Sequence, residues 1–147
     1  MAKRTAAVSW QGGLFDGAGV IESTGSGALA ELPITWAARA ESSDGKTSPE
    51  ELIAAAHASC FAMAFSLLLA EGRTPPKRLD VRAGVTFIPG TGITRSELEV
   101  EGVVSGLSEA AFLAKAEQAK ANCPVSKALR GLEITLSAVL RKERAAA

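Results

Sequence analysis

From Leu52 to Ala70 the chain runs for 19 residues without an Asp, Glu, Lys or Arg. Ser48-Pro49-Glu50-Glu51 stands directly before that run and has the chemistry of a helix start. Ser48 supplies a capping hydroxyl, Pro49 suits the first helical position, and Glu51 completes an S-x-x-E capping box. Glu50 and Glu51 also place negative charge where the helix dipole favours it. Glu71-Gly72 supplies the stop. A helix apolar nearly all round must be buried, in protein or in lipid. The run approaches the length of a bilayer span. It is largely alanine, however, interrupted by His57, Ser59, Cys60 and Ser66, and its flanks have strand patterns. The expectation is therefore a long core helix with Cys60 at its middle and His57 one turn earlier.

At 147 residues the chain is expected to form one domain, 1–147, long enough to bury a core. Its 16 basic and 16 acidic side chains cancel, so no global field favours nucleic acid or an acidic membrane surface. Met1-Ala2-Lys3-Arg4 resembles the start of a signal peptide, but no apolar stretch follows before Trp10-Gln11-Gly12-Gly13, and a cytoplasmic protein is expected. Two cysteines do not make a secreted disulfide scaffold. In a reducing compartment such a pair is redox-active, metal-binding or simply buried.

In chain order, Thr5 to Trp10 and Gly17 to Thr24 predict two strands around a glycine-rich turn. Leu32 to Ala40 alternates, with Ile34, Trp36 and Ala38 on one face and Arg39 on the other, and predicts a third strand. After the central helix, Leu79 to Phe87 alternates clearly. Pro89-Gly90-Thr91-Gly92 then turns the chain into a strand with Glu97, Glu99 and Glu101 outside and Leu98 and Val100 inside. Ser108 caps a helix from Glu109 to Lys120 whose buried stripe is expected to be Phe112, Leu113, Ala116 and Ala119. Pro124 opens a short helix through Leu129, and Ile134, Leu136 and Ala138 mark a last strand. The order β-β-β-α-β-β-α-α-β is an α+β plan. The tail Arg141-Lys142-Glu143-Arg144 is expected to be solvated and frayed.

Cys60, in an apolar helix, would by itself be a packing residue, because burial raises a thiol pKa unless a cation is supplied. Cys123 precedes Pro124 at a helix start, where backbone amides favour a thiolate, so the residues alone make Cys123 the better acid. The 63 residues from Cys60 to Cys123 leave it to the fold to bring the two together. His57 has the position of a core residue. A metal site lacks ligand spacing, and a Cys60–His57 hydrolytic dyad lacks a third, orienting group. Arg39 and Glu50 would by position alone be a solvated strand residue and a helix-start carboxylate.

The stretch Ser48-Pro49-Glu50-Glu51-Leu52-Ile53-Ala54-Ala55-Ala56-His57-Ala58-Ser59-Cys60-Phe61, together with Ala121-Asn122-Cys123-Pro124-Val125-Ser126-Lys127, resembles the OsmC/Ohr family of thiol peroxidases. The wording is closer to the OsmC branch, and the likeness extends from Val8-Ser9-Trp10 to the final strand. The resemblance implies antiparallel sheets wrapped around a long buried helix in an intertwined homodimer. It implies reduction of organic hydroperoxides, and less efficiently of hydrogen peroxide, without a cofactor. Cys60 would be the attacking cysteine and Cys123 the resolving one, with a disulfide regenerated by an external dithiol, either a lipoylated protein or a thioredoxin-like donor. Arg39 would lower the Cys60 pKa, held by Glu50, with Arg4 and Arg95 as the other cations considered. Phe61, Phe65, Leu52 and Phe15 would line an apolar substrate pocket. A redox-sensing or small-ligand-binding dimer on the same fold is the competing expectation. Glu50 and Cys60 are ten residues apart on one helix, hence about 15 Å along its axis. Arg39 and Glu50 are therefore expected to reach Cys60 from a second subunit.

Overall fold

Short, tightly turned antiparallel strands need little more than glycine at the turns, and the N-terminal part of the chain is built that way. The computed structural model describes residues 1–143, so Arg144 of the tail lies outside the described residues. The chain divides into two compact units, Met1–Leu52 and the part from Ile53 onward. In the first, β1 (Ala6–Gln11), β2 (Ala18–Thr24) and β3 (Ala30–Ile34) form an antiparallel sheet in the order β1-β2-β3. Trp10 lies across from Gly19, where a Cβ would meet the indole at 2.6 Å, so only glycine admits that ring.

The third strand is shorter than its alternation predicts. It ends at Ile34, and Trp36–Ala40 is a short helix, α1, capped by Thr35, whose Oγ1 accepts the Ala38 N–H at 3.1 Å. Arg39 therefore sits in a helix and not on a strand face. Trp-Ala-Ala-Arg-Ala is rich in helix formers behind a threonine cap, and so few alternating residues do not separate the two periods.

The second unit is a sheet covered by helices. β4 (Arg78–Ile88) and β5 (Gly92–Val103) are an antiparallel hairpin, and β6 (Glu133–Arg141) lies parallel to β5. A parallel neighbour requires a crossover, here supplied by α3 (Glu109–Asn122) and α4 (Pro124–Ala128). Arg141 is thus the end of a strand, paired with Glu101, and not the start of a frayed tail.

The long helix α2 spans Pro49–Glu71, with the Glu51 N–H donating to Ser48 Oγ at 3.2 Å and Thr47 Oγ1 donating to the Glu51 carboxylate at 2.8 Å. Residues spaced by four, His57, Phe61, Phe65 and Leu69, have no exposed surface. They pack, from Phe61 on, against Leu98 and Val100 of the sheet and Phe112, Ala116 and Ala119 of α3. Phe65 lies between Phe61 and Phe112, with ring centroids 5.6 and 5.0 Å away. Two expectations change here. The helix is not covered all round within one chain, since Met63 and Leu67 are 67% and 60% exposed. Leu113 is exposed as well, because the buried stripe of α3 follows 112, 116 and 119 and Leu113 is turned about 100° away from Phe112.

Candidate active site

Cys60 and Cys123 come together in the second unit, both as free thiols. α2 carries Cys60 on the flank of its buried stripe, partly exposed, while Cys123 has no exposed surface and joins the hydrophobic core. Cys123 ends α3 and begins α4, with Pro124 at the first helical position. Cys123 makes no side-chain cap hydrogen bond there, but the amides at the start of α4 favour ionisation of the thiols, Val125 for both and Ser126 for Cys123.

The two thiols influence each other's ionisation, and in opposite directions. Burial pushes the Cys60 thiol above its ordinary value, against the pull of the Val125 amide, and the neighbouring Cys123 adds to the rise. Burial opposes ionisation of Cys123 too. The Ser126 amide, the Cys60 thiol, the Ser126 hydroxyl and the Val125 amide together outweigh it and carry Cys123 below its ordinary value. The two shifts run in opposite directions, so Cys123 is the better acid of the pair. This is the acidity order that the helix-start position of Cys123 suggested.

Behind the pair, His57 is fully buried and both ring nitrogens are bonded: Nδ1 to Ser96 Oγ at 2.7 Å, Nε2 to Ser126 Oγ at 2.8 Å. Burial lowers its pKa and keeps it neutral. His57 is the satisfied core residue the sequence suggested, but its partners were missed. Ser96 had a signal: it occupies the inward register of β5 with Leu98 and Val100, where a hydroxyl needs a partner. Ser126 stands three residues after Cys123, within the reach of a helix's first turn.

Arg39 and Glu50 come together in the first unit. Arg39 Nε donates to Glu50 Oε1 and Oε2 at 3.0 and 3.2 Å, and Nη2 to Oε1 at 2.7 Å. The Glu50 side chain is 8% exposed and Arg39 29%. Such a two-pronged guanidinium–carboxylate contact fixes the plane of the cation. Arg95 is engaged elsewhere, with Glu133 and Glu97 on an exposed sheet face, and Arg4 Nη1 donates to the Lys3 carbonyl at 3.1 Å. Of the four apolar candidates, Phe61 and Phe65 are core residues without exposed surface. Leu52 is half-buried, and Phe15 is 80% exposed and packs edge-on against Trp36 at 5.6 Å. In a single chain only Leu52 and Phe15 can offer surface to a ligand.

A free thiol pair, carried by a long helix and a kink between two others on a small sheet, defines a two-cysteine thiol protein of the α+β class. The chain belongs to the OsmC-like protein family, whose model matches residues 42–137; both cysteines and Glu50 fall inside that segment and Arg39 just ahead of it. It is 42% identical over 135 residues to Peroxiredoxin OsmC of Escherichia coli (strain K12), covering 90% of this chain and 92% of the relative. Peroxiredoxin OsmC of Shigella flexneri is equally similar. The organic hydroperoxide resistance protein of Elizabethkingia anophelis, solved with thiocyanate bound, superposes with a TM-score of 0.66 at 25% identity, over 93% of this chain and 96% of that one. OhrB of Bacillus subtilis shares the fold, with a TM-score of 0.63 at 24% identity over 93% and 98% of the two chains.

Proposed function

We propose that this protein is a cysteine-based peroxidase that reduces organic hydroperoxides, and hydrogen peroxide less efficiently, with Cys60 attacking and Cys123 resolving. The observation that carries the reading is the pairing of a part-exposed Cys60 with a fully buried Cys123. Exposure outranks acidity in assigning the roles. A peroxide can meet only the sulfur it can reach, so Cys60 attacks although Cys123 is the better acid in the single chain.

The Cys60 thiolate attacks the distal oxygen of ROOH; the S–O bond forms, the O–O bond breaks, and the departing alkoxide takes a proton to give ROH. Cys60 is then a sulfenic acid. Cys123 sulfur attacks Cys60 sulfur, the S–S bond forms, and hydroxide leaves and is protonated to water. In sum, two thiols and ROOH give a disulfide, ROH and H₂O. An external dithiol, a lipoylated protein or a thioredoxin-like donor, restores both thiols by exchange. No cofactor enters.

Cys60 needs a cation to become the thiolate, because the groups acting on it in its own unit are burial, an amide and another sulfur. The Arg39–Glu50 clamp is proposed to supply it from a second subunit of a homodimer. Helix α2 separates Glu50 from Cys60 by ten residues, about 15 Å, farther than a guanidinium clamped to Glu50 spans. Two exposures support the dimer. All six residues of β1 are exposed, Val8 and Trp10 among them, and α2 leaves Met63 and Leu67 uncovered. Leu52 and Phe15 would then face substrate at that interface. We place the protein in the cytoplasm, where reduced thiols are maintained.

The experiment is consumption of cumene hydroperoxide and H₂O₂ with dihydrolipoamide, for wild type, Cys60→Ser and Cys123→Ser. Cys60→Ser should consume none, and Cys123→Ser should stop at a trappable sulfenate. Unchanged turnover in both variants would sink the peroxidase reading. For the shared site, inactive Cys60→Ser chains and slowed Arg39→Met chains are mixed after unfolding and refolding. One intact site in each mixed dimer should restore about a quarter of wild-type activity. No recovery would exclude sites shared between subunits.

A further inference from the structure

His57 is fully buried, and the peroxide chemistry above gives it no step. Its ring stands where three elements meet: α2 carries it, β5 brings Ser96 Oγ to Nδ1 at 2.7 Å, and α4 brings Ser126 Oγ to Nε2 at 2.8 Å. We infer that His57 is a positioning residue: by tying α4 to α2 through Ser126, it holds the Cys123 segment where the disulfide with Cys60 can close. The inference rests on the peroxidase reading for the step it serves, but its geometry does not.

The tie lies beside both cysteines along the chain. His57 precedes Cys60 by three residues on α2, about 4.5 Å along the axis and about 60° round it. Ser126 follows Cys123 by three residues, in the first turn of α4. One hydrogen bond therefore joins the two cysteine-bearing segments a single turn from each cysteine. The short helix needs such a tie. α4 has five residues, Pro124–Ala128, too few to hold a helix by themselves, and Cys123 makes no side-chain cap hydrogen bond at its start. Val125 packs against the core, but apolar contact is non-directional and lets a short helix slide or turn. A hydrogen bond sets both distance and direction. Ser96, bonded from β5, holds the imidazole so that Nε2 meets α4. A neutral imidazole has one donor and one acceptor nitrogen, and a hydroxyl serves as either, so both contacts are satisfied whichever nitrogen carries the proton. Ser96, His57 and Ser126 are each buried, so water does not compete for these bonds.

In the closing step Cys123 sulfur gives its electron pair to Cys60 sulfur, the S–O bond breaks, and hydroxide leaves and is protonated. The tie takes no part in these bonds. It acts beforehand, by removing freedom of the reduced protein that the disulfide would otherwise have to remove. Loss of the tie should lower the effective concentration of one thiol toward the other and leave the approach of peroxide to Cys60 as it was.

The first test needs no peroxide. The protein is equilibrated with a glutathione buffer, in which two protein thiols and one glutathione disulfide give the protein disulfide and two glutathione thiols. Ser126→Ala, which removes the α4 end of the tie, should lower that equilibrium constant about tenfold, the loss of one buried hydrogen bond. The ring is replaced by two amides. Gln places its amide near the position of Nε2 and Asn near that of Nδ1. His57→Gln should therefore keep the equilibrium near wild type, and His57→Asn should lower it as Ser126→Ala does. A histidine that merely fills the core would treat the two amides alike. With cumene hydroperoxide, Ser126→Ala should form the Cys60 sulfenate at the wild-type rate and close the disulfide about tenfold more slowly. An unmoved glutathione equilibrium in Ser126→Ala, or equal displacement by His57→Gln and His57→Asn, would overturn the inference. Ser126→Ala removes one oxygen and decides the matter should a His57 variant not fold. A displaced equilibrium in a protein that reduces no peroxide would retain the tie and remove the peroxidase reading instead.

Discussion

The two halves of the proposed site are built on opposite principles. In the first unit Arg39 and Glu50 form a charged clamp, two-pronged and part-exposed, beside a sheet with little buried surface of its own. In the second unit Cys60 and Cys123 sit against a packed aromatic core, and the described groups that act on their ionisation are amides, a hydroxyl and each other. Such donors make one thiol of the pair the better acid, and it is the buried one. Making the reachable thiol the nucleophile takes a full positive charge.

The largest effects should fall on the chemistry and separate the halves. Cys60→Ser should abolish peroxide reduction, whereas Arg39→Met, which leaves both thiols in place, should slow Cys60 oxidation about 10- to 100-fold by raising its pKa. Stopped-flow peroxide reduction at several pH values checks this, and the Arg39→Met deficit should shrink as pH rises. Next come the core substitutions, which should be felt in the second unit. Phe65→Ala removes the ring between Phe61 and Phe112 and should destabilise by about 3–5 kcal/mol in denaturant unfolding. Gly102→Ala would place a Cβ 2.5 Å from the Phe112 ring, a buried ring that cannot swing aside, for a loss of about 1–3 kcal/mol.

A smaller effect is the acid response. The folded-state pKa of His57 is lowered by burial, so the unfolded chain binds the proton more readily. Its contribution is fully present above about pH 6.5, the unfolded value, and is lost as pH falls below it. Melting temperature against pH should therefore decline more steeply below that point in wild type than in His57→Gln. Smallest of all, Glu101→Gln breaks an exposed pair with Arg141 and should leave the melting temperature unchanged. A large loss there would mean that the outer sheet face is covered in solution.

Much of the second unit could be read directly from its residues. Alternation placed Leu79 to Phe87 and Leu98 to Val100 on the inner face, Ser108 and Pro124 marked helix starts, and the Pro-Gly-Thr-Gly turn fixed a hairpin. These are local signals set by backbone geometry and neighbouring side chains. The stretch from Leu32 to Ala40 misled because its alternation was as compatible with a capped helical turn as with a strand. Leu113 misled because an apolar residue next to a buried stripe has no local mark of which way it turns. For α2, composition showed that it was apolar but not which side the chain itself would cover.

By itself, then, the sequence determined the helices and strands apart from the Trp36–Ala40 turn of helix, and the presence of two cysteines, one histidine and a candidate arginine. Only the tertiary structure decided that 63 residues of chain return Cys123 to Cys60, that Ser96 and Ser126 close on His57 from a strand and a helix far apart in sequence, and which sulfur is open to a peroxide. The physical reason is range. Capping, alternation and turn chemistry act over a few residues and leave their mark in the chain, whereas the ionisation of a thiol depends on whatever donors and apolar surface the fold packs around it.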